Sequence, residues 1–115
     1  MNKQEVFEII KKDYPEARWI SSSCIQIDFM DVMIDPYNLG YVDILFTDDR
    51  IILTDFANNY PLLEFEEEEC IAICKKHGLV FNNYNIECIY NTNDDIKRYK
   101  ECIEEFGELN IKRKY

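Results

Sequence analysis

Residues 41–56, YVDILFTDDRIILTDF, constrain the fold more than any other stretch. Two runs rich in β-branched and aromatic residues, YVDILF and RIILTDF, flank the polar pair Asp48–Asp49. That is the pattern of a β-hairpin. Two aspartates, Asp43 and Asp55, sit within the strands. Their relation depends on register, because side chains alternate faces and a slip of one residue inverts a strand. A loop of even length pairs Phe46 with Ile51 and sets Asp43 opposite Thr54, with Asp55 on the other face. A three-residue loop sets Asp43 opposite Asp55, but it favours glycine at its left-handed position. Asp48-Asp49-Arg50 has none, so the even register is expected.

The flanking sequence supplies helices for this hairpin. Asn2 is a cap signal with Glu5 three residues on, and Val6, Phe7, Ile10 and Tyr14 form an apolar face ended by Pro15. Trp19 and Ile20 lead through Ser21–Ser23 into a half-buried strand, with Ile25, Ile27 and Phe29 facing one way and Gln26, Asp28 and Met30 the other. After the hairpin, a second helix is predicted over 66–77. It has glutamates in its first turn, Lys75, Lys76 and His77 in its last, and Gly78 at the C′ position. Glu66 and Glu69 are assigned to serving the start of that helix. An Asn82-Asn83 turn, an alternating strand through Ile86, Cys88 and Tyr90, and a third helix capped by Asn93 and ended by Gly107 follow. The tail IKRKY reads as loose. The expected order is α-β-β-β-α-β-α. This predicts one α+β domain over residues 1–115, with a small, mainly antiparallel sheet centred on 41–46 and 51–56.

Charge and cysteine content narrow the function classes. The net charge is −10, and residues 28–69 carry twelve acidic residues against Arg50 alone. Such a field repels phosphate and attracts basic surfaces, so direct nucleic-acid binding is not expected. No apolar run reaches the ~18 residues of a membrane span, and the N-terminal stretch lacks the pattern of a signal peptide. A cytoplasmic location is the expectation. The odd count of five cysteines, interleaved with isoleucines, fits reduced, buried thiols. Cys70, Cys74 and His77 share a helical face and, with Cys88 or Cys102, have zinc-ligand chemistry. Their setting in a core stripe argues for packing, and neither metal nor cofactor is expected.

Two resemblances bear on the hairpin. The element order and YVDILFTDDRIILTDFANN resemble the core of the PD-(D/E)xK nuclease superfamily. This resemblance implies a metal held by Asp43 and Asp55, the latter in Asp55-Phe56-Ala57. Ala57 stands where that family has its lysine, and Lys75 or Lys76 would have to replace it. The stretch 31–90 also resembles an uncharacterised family of small bacterial and phage domains with an LTDDG-like segment. There Ile34-Asp35-Pro36-Tyr37-Asn38 match the turn entry, Tyr41–Phe46 the strand and Leu53-Thr54-Asp55 the LTD portion, while Phe56-Ala57 depart from D-G. That second resemblance implies a fold and a phage or prokaryotic setting, and no activity.

The functional expectation is a non-enzymatic acidic protein that binds a basic, nucleic-acid-binding partner. The expected type is a phage or mobile-element inhibitor of a defence nuclease, as anti-CRISPR and anti-restriction proteins are. The residues assigned to the partner are Asp31, Asp35, Asp48, Asp49, Glu64, Glu67 and Glu68. The alternative is a metal-dependent or degenerate nuclease using Asp43 and Asp55. For Asp55 the non-catalytic role is a strand-end carboxylate accepting backbone hydrogen bonds from the loop at Ala57–Asn59.

Overall fold

The computed structural model describes residues 2–29, 40–55 and 65–114. Among these, three helices and six strands alternate as α1 (Lys3–Asp13), β1 (Arg18–Ser21), β2 (Cys24–Asp28), β3 (Tyr41–Phe46), β4 (Ile51–Thr54), α2 (Glu67–Lys76), β5 (Val80–Asn82), β6 (Asn85–Ile89) and α3 (Asn93–Lys114). The strands form one antiparallel sheet in the order β1-β2-β3-β4-β6-β5, with the 41–46/51–54 hairpin at its centre. The α+β class and the central hairpin are as the sequence predicts. Two strands are additional. Arg18–Ser21 pairs with β2, and Val80–Asn82 pairs with β6.

The sheet's two faces divide the chemistry. Ile25, Ile27, Val42, Ile44, Leu53 and Ile86 point to one side and form a single core with the helices. Val6, Phe7 and Ile10 enter it from α1, Cys70, Ile73 and Cys74 from α2, and Ile96, Tyr99, Ile103 and Phe106 from α3. Each large apolar side chain so buried contributes roughly 1.5–3 kcal/mol against the entropy of ordering the chain. Trp19 bridges α1 to the sheet, its ring 5.4 Å from Phe7 and 5.5 Å from Phe46. The alternate residues, among them Gln26, Asp43, Leu45, Ile52, Thr54 and Glu87, face the other way.

The helix ends follow from local hydrogen bonding. Asn2 Oδ1 accepts the Glu5 N–H at 2.9 Å and starts α1. At the end of α2, Leu79 N–H bonds the Cys74 carbonyl at 2.8 Å and Gly78 N–H bonds that of Lys75 at 3.0 Å. This is a Schellman motif, with Gly78 at φ +74°. At the start of α2, Glu66 occupies the N-cap position without a side-chain cap bond. Glu69 instead pairs with Arg113.

Helix α3 departs from expectation at both ends. The predicted cap, Asn93, is inside the helix and ties it to α1, with its Nδ2 donating to the Ile9 carbonyl at 3.0 Å and to Asp13 at 2.8 Å. The capping carboxylate is that of Asp95, which accepts the N–H groups of Asn91 at 2.7 Å and Thr92 at 3.0 Å. Gly107 does not end the helix, and 111–114 of the tail are helical. The Arg113 guanidinium lies 4.4 Å above the Phe65 ring and pairs with Glu69. Together with the burial of Phe106 and Asn110 on either side of Gly107, this packing outweighs the ~1 kcal/mol helix cost of one glycine. The turn before β6 is Asn83-Tyr84, at φ 52° and 59°, one residue later than predicted.

Candidate functional site

The hairpin takes the even register. Phe46 pairs with Ile51 and Asp43 with Thr54. Asp48 and Asp49 form the tip, and neither has positive φ, so the turn lacks the twist that favoured hairpin turns supply. Thr47 compensates. Its N–H and its hydroxyl each donate to the Arg50 carbonyl at 2.9 Å, and its Oγ1 accepts the Arg50 N–H at 3.2 Å. The two aspartates are thereby held outward, both exposed.

Asp43 and Asp55 lie on opposite faces of the sheet, as the even register requires. Asp43 is fully buried. Gln26 Nε2 donates to its Oδ1 at 2.9 Å, and Arg18 Nη2 donates to Gln26 Oε1 at 2.7 Å. Burial raises the Asp43 pKa against the opposing pull of Gln26 and Arg18. Asp55, 1 % exposed, faces the core beneath α3. Its Oδ1 accepts the Ile86 N–H at 2.7 Å, and the Tyr99 hydroxyl donates to the Ile86 carbonyl at 3.0 Å. The Asp55 side chain thus serves as a strand-end acceptor, with its donor on β6. The expected donors at Ala57–Asn59 lie outside the described residues. Burial pushes the Asp55 pKa up to about 7, against the hydrogen bond from Ile86. In this register Asp43 and Asp55 do not form the shared carboxylate pair that the nuclease resemblance implies.

Of the acids assigned to a partner, Asp31, Asp35 and Glu64 lie outside the described residues. The remaining four fall into two separate sets. Asp48 and Asp49 are at the hairpin tip beside the start of α1. Glu67 and Glu68 are exposed in the first turn of α2, where they complement the macrodipole. The ion pairs among the described residues that involve α2 or α3 use other acids. Glu69 pairs with Arg113, Asp95 with Arg98 at 2.6 Å, and Glu105 with both Lys76 at 2.9 Å and His77 at 2.8 Å.

The cysteine face is part of the core. Cys70, Cys74 and Cys102 are buried among its apolar side chains, and His77 turns to Glu105. Burial pushes the Cys24, Cys70 and Cys88 thiols up to about 11. Among the described residues, no three His, Cys, Asp or Glu side chains converge to hold a metal ion. No helix among them is long and apolar enough to cross a membrane.

Sequence reasoning missed a groove between α1 and the hairpin end of the sheet. A cavity of about 590 Å³ is lined by Val6, Ile9 and Asp13 of α1, Ile51 of β4, and Tyr90 and Asn93 at the β6–α3 junction. A second, of about 400 Å³, adjoins it through Val6 and Ile51 and reaches Asp48 and Asp49. The available signal was the row Asn2, Val6, Ile9 and Asp13, spaced as one helical stripe beside the core stripe. Comparison of the chain with family models, with curated proteins and with solved structures finds no match.

Proposed function

We propose that this chain is a small acidic, non-enzymatic binding protein that occupies the basic, nucleic-acid-binding surface of a partner. The setting we propose is a phage or mobile element, and the partner a host defence nuclease of the kind that anti-CRISPR and anti-restriction proteins block. The observation that carries the reading is the hairpin tip. Asp48 and Asp49 are exposed, adjacent, and without an ion-pair partner among the described residues. They stand on a turn fixed by three Thr47–Arg50 hydrogen bonds. Rigid carboxylates lose little conformational freedom on binding and imitate the spaced charges of a phosphate backbone. The net charge of −10 adds long-range attraction to a basic surface. The even register, which sets Asp43 opposite Thr54, favours this reading over the nuclease alternative.

The test starts with a pull-down from a prokaryotic lysate to identify the partner. The charge-reversed pairs D48K/D49K and E67K/E68K are then assayed separately for binding and for competition with nucleic acid. Circular dichroism confirms folding. The hairpin pair should lose most of the affinity. Association of the unsubstituted protein should slow markedly as salt rises, because exposed charges are screened over ~8–10 Å. Unchanged affinity and unchanged salt dependence in both variants would overturn the reading.

A further inference from the structure

We propose that the start of α2 is a docking site for an arginine of the partner, and that the chain's own Arg113 occupies it in cis as an exchangeable plug. The inference rests on the acidic-binder reading and adds to it a second contact surface with its own regulation. Three observations carry it.

The first is the seat. Phe65 and Glu69 stand four residues apart at the start of α2. The Arg113 guanidinium lies 4.4 Å above the Phe65 ring and pairs with the Glu69 carboxylate. Phe106 fixes the Phe65 ring edge-on, with centroids 5.4 Å apart and planes at 78°. A ring face beside a carboxylate matches a planar guanidinium, which stacks on the one and donates to the other. The chemistry of the occupant is thus shown by the group that sits there.

The second is the charge left over. Glu66, Glu67 and Glu68 are exposed beside Glu69, and none of the three has an ion pair among the described residues. Arg113 holds the Glu69 carboxyl below its ordinary range and leaves the other three carboxylates for an incoming cation. A segment with several arginines therefore meets more partners here than Arg113 alone can satisfy.

The third is exchangeability. Arg113 is the penultimate residue of α3, and the side chains of Arg113 and Glu69 are each 35 % exposed. Exposed pairs contribute little, and helix ends open readily. A tethered occupant weakens any competitor by the fraction of time the seat is taken. The plug so favours a partner that offers several arginines over a lone cation.

The experiment titrates the full chain with fluorescein-labelled hexa-arginine and hexa-lysine at physiological salt, followed by anisotropy and by amide chemical shifts. Arg113→Ala should bind hexa-arginine roughly fivefold more tightly than the unsubstituted chain, with new shifts at Phe65, Glu67, Glu68 and Glu69. Lys112→Ala removes the same charge from an exposed position in the same turn and should gain far less. Hexa-lysine should also gain less, since an ammonium has neither the plane nor the fork of a guanidinium. Glu69→Gln added to Arg113→Ala should abolish the gain. Arg113→Lys keeps the charge of the last turn and should show a smaller gain of the same kind, which keeps the test valid if the alanine variant frays. Equal gains in Lys112→Ala and Arg113→Ala, or shifts that avoid Phe65 and Glu67–Glu69, would overturn the plug. If D48K/D49K weakens hexa-arginine binding while Arg113→Ala does not strengthen it, the plug falls and the hairpin reading stands. If Arg113→Ala gains and D48K/D49K changes nothing, the plug stands and the hairpin tip is not a contact.

Discussion

Asp55 should make the protein less stable as pH rises from acid to neutral, the reverse of what paired surface carboxylates do. The side chain is 1 % exposed, and its pKa rises from the ordinary 3.8 to about 7 on folding. Between those values the folded protein holds a proton that the unfolded chain has released. The contribution is fully present below pH 3.8, falls as pH rises, and is lost above about 7. One pKa unit corresponds to about 1.4 kcal/mol, so the whole span is on the order of 4 kcal/mol. The sequence pI of about 4.5 makes the acid half of that span prone to precipitation. Working from pH 5.5 to 8.5 leaves about 2 kcal/mol to be read. The perturbation is Asp55→Asn, which keeps an oxygen for the Ile86 N–H and removes the charge. Urea denaturation followed by circular dichroism should show the unsubstituted protein losing about 2 kcal/mol across that range and the variant losing far less. The difference between the two cancels the other titrating groups, including Asp43, which is shifted in the same direction. The variant should be the more stable form at pH 8.5. A constant offset between the two proteins at every pH would refute the reasoning.

Two further outcomes are expected. Gly78→Ala should cost on the order of 1 kcal/mol or more in urea denaturation, because φ is +74° and the new Cβ would lie 2.5 Å from the Arg98 guanidinium; a variant as stable as the unsubstituted chain would contradict the Schellman assignment. Arg113→Ala should speed amide exchange in the last turns of α3, since it removes both the Glu69 pair and the cover over Phe65. Its cost in global stability should stay within about 1 kcal/mol, as for other exposed pairs.

What the sequence makes legible depends on how local the cause is. The central hairpin and its register are legible because alternation and the lack of glycine at Asp48–Arg50 are properties of a few neighbouring residues. The Asn2 cap and the Gly78 stop are legible for the same reason. The edge strands are not. Arg18–Ser21 and Val80–Asn82 are short, and their residues lack two-fold alternation, so pairing with β2 and β6 defines them. The passage of α3 through Gly107 depends on partners far away in sequence, Glu69 and Phe65. The candidate site divides in the same way. Asp48 and Asp49 are visible as a polar pair between two strands. The groove beside them joins α1 to the β6–α3 junction, and only the folded chain brings those together.

The strand order has a kinetic consequence. β1–β2, β3–β4 and β5–β6 are each joined by a connection of two to four residues and can zip from their own turns in microseconds, and β2 and β3 are also consecutive in the chain. The β4–β6 seam is different. It joins Ile52 to Ile89 and Thr54 to Glu87 across the whole of α2, and Asp55 closes its end by reaching for the Ile86 amide. Forming this seam costs the loop-closure entropy that the local hairpins avoid. It should therefore be the slow step. Substitutions at Leu53 or Ile86 should slow refolding, whereas those in the β1–β2 hairpin should mainly hasten unfolding.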